Sequence, residues 1–362
     1  MEWSIEQADL QHIYKKVKDK QRLDREDGII LYQSNHLLAL GFLANLVQGR
    51  LNDSRVYYVY NQHINYSNIC INGCLFCAFS RKRGNPEAYE MGLDDIAQRV
   101  KDKIKEPITE IHVVGGINPE LPLSYYLSML KTIKQIRPDV HLKAFTPVEI
   151  AHIAKMSKIS VEKTLMILKQ AGLNSLPGGG AEVFSPRIRK ALCPKKLSSE
   201  EWLAVARCAH SLGIHTNATM LYGHIETYEE RVDHLLSLRK LQDETGGFLC
   251  FIPLPFHSHN TKLSHLRGPT GMDDLKNLAI SRLLLDNIPH IKAYWVGLTP
   301  RLAQIALSFG ADDLDGTIIE ERITHTAGVK SPYGLPKDEL IRLIKDAGRM
   351  PVERDALYQE VH

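Results

Sequence analysis

The sequence contains no uninterrupted run of about 18 apolar residues, so no α-helical membrane span is expected. The opening stretch MEWSIEQADLQHIYKKVKDKQRLDREDG lacks the apolar centre of a secretory leader. A cytoplasmic setting, where thiols stay reduced, is therefore expected. Charge of one sign is also lacking: Lys+Arg 45 against Asp+Glu 42 leaves +3, which gives no reason to expect a nucleic-acid or membrane partner. There is no internal repeat, low-complexity tract or Pro/Ser-rich linker. With 44% hydrophobic and 24% charged residues, disorder, collagen and coiled coil are excluded. At roughly 100–200 residues per domain the length allows two domains, but an α/β barrel uses it all as one.

What is present is a rhythm. Residues 24–35 and 37–47 carry apolar residues three and four apart (Ile29, Leu31, Leu37, Leu40, Leu43, Leu46), so the first fifty residues read as helical. β-rich stretches then alternate with helical ones. Strands are predicted at 56–60, 63–66, 108–114, 140–145, 173–176, 214–221, 248–253, 291–296 and, weakly, 312–315. Helices are predicted at 91–104, 123–136, 161–171, 199–212, 227–244, 273–287 and 300–309. Thr227 with Glu230 three residues later has the form of a capping box. This alternation predicts a parallel sheet, closed as a (β/α)8 TIM-type barrel or, alternatively, left open and doubly wound. The expected organisation is an N-terminal helical segment (1–50), the barrel (51–317) and a short helical extension (318–362) containing Pro332, Gly334 and Pro336.

The six cysteines are unevenly spread. Cys70, Cys74 and Cys77 stand as C-x3-C-x2-C just after the first predicted strand, while Cys193, Cys208 and Cys250 are scattered. Three thiolates on one short loop can face one metal centre, and Gly73 lets the backbone curl between them. Zinc is one reading, with His63, or His257 and His259, as a further ligand, but no second C-x2-C pair is present. The other is a four-iron, four-sulfur cluster with one iron left open for a ligand, a catalytic arrangement. Val113-Val114-Gly115-Gly116 ends the second predicted strand, where glycine permits close approach to a ligand. Pro177-Gly178-Gly179-Gly180-Ala181-Glu182 lacks the Lys-Ser/Thr of a phosphate loop and the spacing of a dinucleotide fingerprint, so nucleoside triphosphate and NAD are excluded. Glu182 there can accept from a ribose or an amine. Strand alternation puts Asn217 and Thr219 on one face inside the barrel, and His224 follows in the next loop. Met220 reads as core and the hydrophobic stretch 251–257 as pocket wall.

The cysteine spacing, with Phe76 just before the third thiol, resembles the signature of the radical S-adenosylmethionine enzymes. The strings HVVGGINPELP, LKAFTPVEI, LNSLPGGGAEVF, TNATMLYGHIET, LQDETGGF and FIPLPFH further resemble the menaquinone and deazaflavin branch of that superfamily, and within it the aminofutalosine synthases. The resemblance implies a [4Fe–4S] cluster on Cys70, Cys74 and Cys77, with S-adenosylmethionine on its open iron and against Phe76, Gly115, Gly116 and Glu182. It implies an external electron donor such as flavodoxin or ferredoxin. The implied reaction adds the 5′-deoxyadenosyl radical to 3-[(1-carboxyvinyl)oxy]benzoate, with rearrangement and loss of a carboxyl group as bicarbonate. Other members of the branch, the dehypoxanthine futalosine cyclase and the deazaflavin synthase halves, are the alternatives. Outside enzymes, an iron–sulfur carrier or a zinc-stabilised barrel remains open. A substrate with two carboxylates calls for donors, and Arg81, Asn217, Thr219, His224 and Arg322 are the candidates.

Overall fold

The structure is a computed structural model that describes residues 2–318 and 320–361; residues 1, 319 and 362 of the expected end segments lie outside them. Nine strands are named in chain order: β1 Arg55–Val59, β2 Asn61–Ile64, β3 Glu110–Val113, β4 His141–Ala144, β5 Thr216–Tyr222, β6 Phe248–Pro255, β7 His290–Ile291, β8 Asp313–Gly316 and β9 Met350–Arg354. β1 and β2 are two halves of one line interrupted at Tyr60. The pairing β2–β3–β4 is parallel, as are β5–β6–β7 and β8–β1. Parallel bridges join these groups: Lys143 to Ser175, Leu176 to Thr216, and Lys292 to Asp313. The ring therefore closes, and the architecture is the TIM-type barrel, not the open sheet. Residues 175–176 are its fourth strand, reduced to two bridging residues.

The local sequence explains most helix ends. Thr227 and Glu230 do form a reciprocal capping box, the Glu230 N–H donating to Thr227 Oγ1 at 3.3 Å and the Thr227 N–H to Glu230 Oε2 at 2.9 Å. That helix, Tyr228–Thr245, stops at Gly246, whose φ of 62° is the left-handed cap. Helix Leu37–Asn52 runs beyond the predicted end at 47. Two helices, Pro147–Ser157 and Pro186–Leu192, start on prolines that the periodicity did not mark as starts.

Two departures matter for the site. The predicted strand 291–296 is only His290–Ile291; the chain then turns into a short helix, Trp295–Leu298. The Trp295 indole N–H donates to the Gly316 carbonyl at 2.9 Å and pins that turn across the barrel mouth. The segment beyond 317 has the short helices Ile323–Thr326 and Lys337–Asp346 but ends in a strand, β9. β9 pairs with β1 in parallel, Arg55 opposite Met350 through Val59 opposite Arg354. It takes beside β1 the place that β3 takes beside β2, and so closes the barrel's N-terminal end. Among the described residues no helix is long and apolar enough to cross a membrane.

Inside the barrel below the site lies a layer of paired charges. Lys143 Nζ meets Glu110 at 2.6 Å, Arg354 meets Asp313 at 2.7 Å, and Lys292 meets Asp315 at 2.9 Å, all in side chains no more than 9% exposed. Burial alone disfavours the Glu110 carboxylate, but Lys143, Arg354 and Lys292 overcome it and hold the group ionised well below the usual range.

Candidate active site

The strands' C-terminal ends and the loops after them surround a cavity of about 360 Å³. Cys70, Cys74 and Cys77 all line it. Their loop is tied to separate parts of the chain: the Cys70 N–H donates to Arg81 O (3.0 Å), Ile71 N–H to Ile117 O (3.1 Å), Leu75 N–H to Leu192 O (2.9 Å), and Lys262 N–H to Leu75 O (3.0 Å). Gly73 sits at φ 61° with open space around its α-carbon, so it is there for backbone conformation and not for packing. Gly73→Ala should therefore cost about 1 kcal/mol of stability and Gly73→Asn less, read as shifts in the urea midpoint; equal effects would count against the conformational role.

The donor set suits a four-iron cluster. Among the described residues no three Cys, His, Asp or Glu side chains converge as a single zinc ion would need. A cubane takes one thiolate per iron, and Cys70, Cys74 and Cys77 line one cavity. Cys193, scattered in the sequence, is brought against Cys74; it is 1% exposed, and the thiol–thiol hydrogen bond and burial together push the Cys74 thiol up.

Gly115 and Gly116 line the same cavity. Their lack of side chains serves packing as well as approach: a Cβ on Gly115 would stand 2.6 Å from the Tyr66 ring, and one on Gly116 would stand 2.3 Å from Ile69 O, in the run into the cysteine loop. The Gly116 N–H donates to Ser67 O at 2.7 Å. Beneath them lies Glu149, 2% exposed, which sequence reasoning passed over. It accepts from Tyr66 Oη (2.8 Å), Gly115 N (3.1 Å) and Thr146 Oγ1 (2.7 Å). Burial raises its pKa despite these donors. Thr146 to Glu149 is a capping box, the sequence signal that could have found it.

Glu182 faces the cavity at φ 51° and pairs with Lys196, whose ammonium stands 5.3 Å from the centre of the Phe76 ring. Lys196 is a second residue missed from sequence, because it lies in a different loop, 14 positions on. The glycine run is packed tightly: a Cβ on Gly178 would fall 2.5 Å from Asn217 O. Asn217 and Thr219 both line the cavity, as alternation required, but Thr219 Oγ1 already donates to Gly178 O at 2.7 Å and holds that loop.

The remaining candidates stand elsewhere. His224 is not in the cavity wall; its side chain is fully enclosed and its Nδ1 is 2.7 Å from Glu226. Arg81 braces the cysteine loop from outside, donating to Ala78 O (2.6 Å), Ser80 O (3.1 Å) and Glu87 (2.7 Å). Arg322 is exposed and lies over the Tyr89 ring at 5.7 Å. Neither arginine lines the cavity, so Lys196 is the one Lys or Arg among its described lining residues. The cavity's inner wall instead presents His63, from β2, and His112, from β3.

A family model described as the radical SAM superfamily matches residues 64–238, and one described as the CofH/MqnC C-terminal region matches 245–362. The chain is 50% identical to an aminodeoxyfutalosine synthase of Thermus thermophilus, over 96% of this chain and 95% of that one. It is 43% identical to an aminodeoxyfutalosine synthase of Streptomyces coelicolor, over 95% and 92%. It is also 43% identical, over 87% and 92%, to a 5-amino-6-(D-ribitylamino)uracil--L-tyrosine 4-hydroxyphenyl transferase of Archaeoglobus fulgidus. Among solved structures, methylornithine synthase superposes with a TM-score of 0.72 at 17% identity, covering 93% of this chain and 96% of that one. HydG, a maturase of the [FeFe]-hydrogenase, superposes at 0.74 with 16% identity, covering 97% and 79%. These two bear on the fold alone.

Proposed function

This chain belongs to the radical S-adenosylmethionine superfamily, in the branch of menaquinone and deazaflavin synthesis, and from that premise we propose that it is an aminodeoxyfutalosine synthase. It is an enzyme with radical chemistry; the reaction proposed is addition of a 5′-deoxyadenosyl radical to the enol-ether carbon of 3-[(1-carboxyvinyl)oxy]benzoate, followed by rearrangement and loss of a carboxyl group as bicarbonate. The observation that carries this reading is the 50% identity with the Thermus thermophilus synthase over 96% of this chain and 95% of that one.

A reduced [4Fe–4S] cluster supplies, when bound, the electron that cleaves the sulfonium of S-adenosylmethionine. In this reading Cys70, Cys74 and Cys77 hold it. Phe76, Gly115, Gly116 and Glu182 flank the cosubstrate, with Lys196 fixing the Glu182 carboxylate in place. Asn217 stays available for a ligand, while Thr219 holds the glycine run that borders it. The electron comes from outside, from a carrier of the flavodoxin or ferredoxin kind. A primary carbon radical must be kept from water, and the cavity's setting within the barrel mouth, with Tyr294 and Thr324 in its lining, supports that.

The 43% identity with the Archaeoglobus fulgidus transferase favours a second reading, in which the radical abstracts hydrogen and leaves as 5′-deoxyadenosine. The two differ in the fate of carbon. S-adenosylmethionine labelled with 13C in its adenosine part is supplied with the enolpyruvyl benzoate under reducing conditions. The expected result is label in a larger adduct short of one carboxyl group, with methionine released in equal amount. Label found only in 5′-deoxyadenosine would reject the synthase.

A further inference from the structure

The cavity has two chemically different ends. The thiol end carries Cys70, Cys74, Cys77, the glycine pair and the Glu182–Lys196 pair. The inner end, deeper between the strands, carries no free cation among the described lining residues. There His63 and His112 are Cα partners in the β2–β3 register, and their rings stack with centroids 4.6 Å apart and planes at 29°. The acids nearby are already satisfied: Lys292 stands 2.9 Å from Asp315, and Glu321 accepts the Thr324 N–H at 2.9 Å and lies 3.0 Å from His325 Nδ1.

One group there is left over. His63 is 6% exposed, and its Nε2 has no hydrogen-bond partner among the described residues. It is the single such buried side-chain atom among the described lining residues. An unpaired buried polar atom costs about 1–3 kcal/mol, and native proteins keep few of them without cause. Burial also keeps both imidazoles neutral, so each has one N–H to give, and the outer face of their stack is aromatic.

We propose that the His63–His112 stack seats the aromatic ring of the substrate, with His63 Nε2–H donating to the carboxylate borne by that ring. The assignment rests on the aryl dicarboxylate substrate argued above. It explains how a cavity whose one lysine is committed to Glu182 recognises a benzoate: by a buried neutral donor and ring stacking in place of an arginine fork. His63 and His112 are thus binding and positioning residues that set the vinyl carbon's distance from the thiol end.

The test uses the cluster-loaded enzyme with S-adenosylmethionine and two unreactive probes, 3-(carboxymethoxy)benzoate and phenoxyacetate, which lacks the ring carboxylate. Calorimetric Kd values are compared for wild type, His63→Phe, which keeps a ring without a donor, and His63→Gln, which keeps a donor. His63→Leu is a second donor-free variant, so a folding defect in one does not decide the result; melting curves and cluster absorbance identify such a defect. The dicarboxylate should bind about 10-fold more weakly to the donor-free variants and within about 3-fold of wild type to His63→Gln. Phenoxyacetate should bind wild type and donor-free variants alike, because the cycle isolates the His63–carboxylate coupling. Equal loss for both probes, or no loss for either, overturns the assignment while the function above stands. Failure of the wild-type enzyme to bind the dicarboxylate overturns both.

Discussion

Replacing Cys70, Cys74 or Cys77 with alanine, one at a time, is expected to reduce bound iron from about four atoms per chain to near zero and to abolish reductive cleavage of S-adenosylmethionine. Each thiol lines the same cavity wall and none has a neighbour on its own loop that could replace it. Iron and sulfide analysis of anaerobically prepared protein reads the first effect, and 5′-deoxyadenosine plus methionine release reads the second. Retention of a full cluster by any of the three variants would remove that cysteine from the ligand set.

Cys193 makes the experiment sharper. It touches Cys74, and the backbone bond from Leu75 N–H to Leu192 O holds the two segments together. A spare thiol beside a proposed ligand is a residue that could replace it. The expectation is still that Cys193→Ala keeps its iron, because Cys193 does not line the cavity, whereas Cys74 does. Cys208→Ala and Cys250→Ala should keep theirs too. Loss of iron in Cys193→Ala, with Cys74→Ala retaining it, would exchange their roles.

What was legible in the sequence was local. The cysteine spacing, the glycine that curls the loop, the Thr227–Glu230 box and the βα alternation are all fixed within about ten residues of chain. The closing strand β8 was legible only weakly, because Asp313 and Asp315 replace the usual apolar residues with buried charges. Those charges make sense only beside Lys292 and Arg354, which come from other parts of the chain. β9 is hidden for the same reason: Met350–Arg354 has Pro351 at its start and charges at Glu353 and Arg354, and reads as part of a helical extension until β1 is set beside it. Among the residues that line the cavity, those on the signature motifs are named from the sequence. Lys196 and His112 are not, and His63 is named only as a further zinc ligand, since sequence distance hides a stack made across two strands. Arg81 was misplaced because a basic residue after the thiols looks free, although Glu87 and two carbonyls within three residues of it were near enough to take it.

Arg354→Ala is expected to destabilise the protein by about 3–5 kcal/mol, since it leaves a buried carboxylate without its main partner. The guanidinium is fully buried, donates from Nε to Asp313 Oδ2 at 2.8 Å, and lies 4.1 Å from the centre of the Tyr358 ring. Tyr358 also donates to Asp313, at 2.6 Å, and stacks on His290 at 3.6 Å, so this tail is keyed into the barrel's N-terminal end. Without Arg354 the nearest cation to Asp313 is Lys292, 3.9 Å away and already bound to Asp315 at the cavity floor. Burial opposes the Asp313 charge, but Arg354 and Lys292 prevail and hold its pKa below the ordinary carboxylate range. A depressed pKa means that the stabilisation is fully present above the unfolded value, near 4, and is lost as pH falls through the folded one. The gap between wild type and Arg354→Ala in urea unfolding should therefore be widest at neutral pH and narrow below about pH 4. Replacing both charges, as Arg354→Met with Asp313→Leu, should recover part of the loss, because a packed apolar pair avoids the cost of a lone buried charge. A loss under about 1 kcal/mol at pH 7, the scale of a surface pair, would show that β9 is held by its backbone ladder and not by this ion pair.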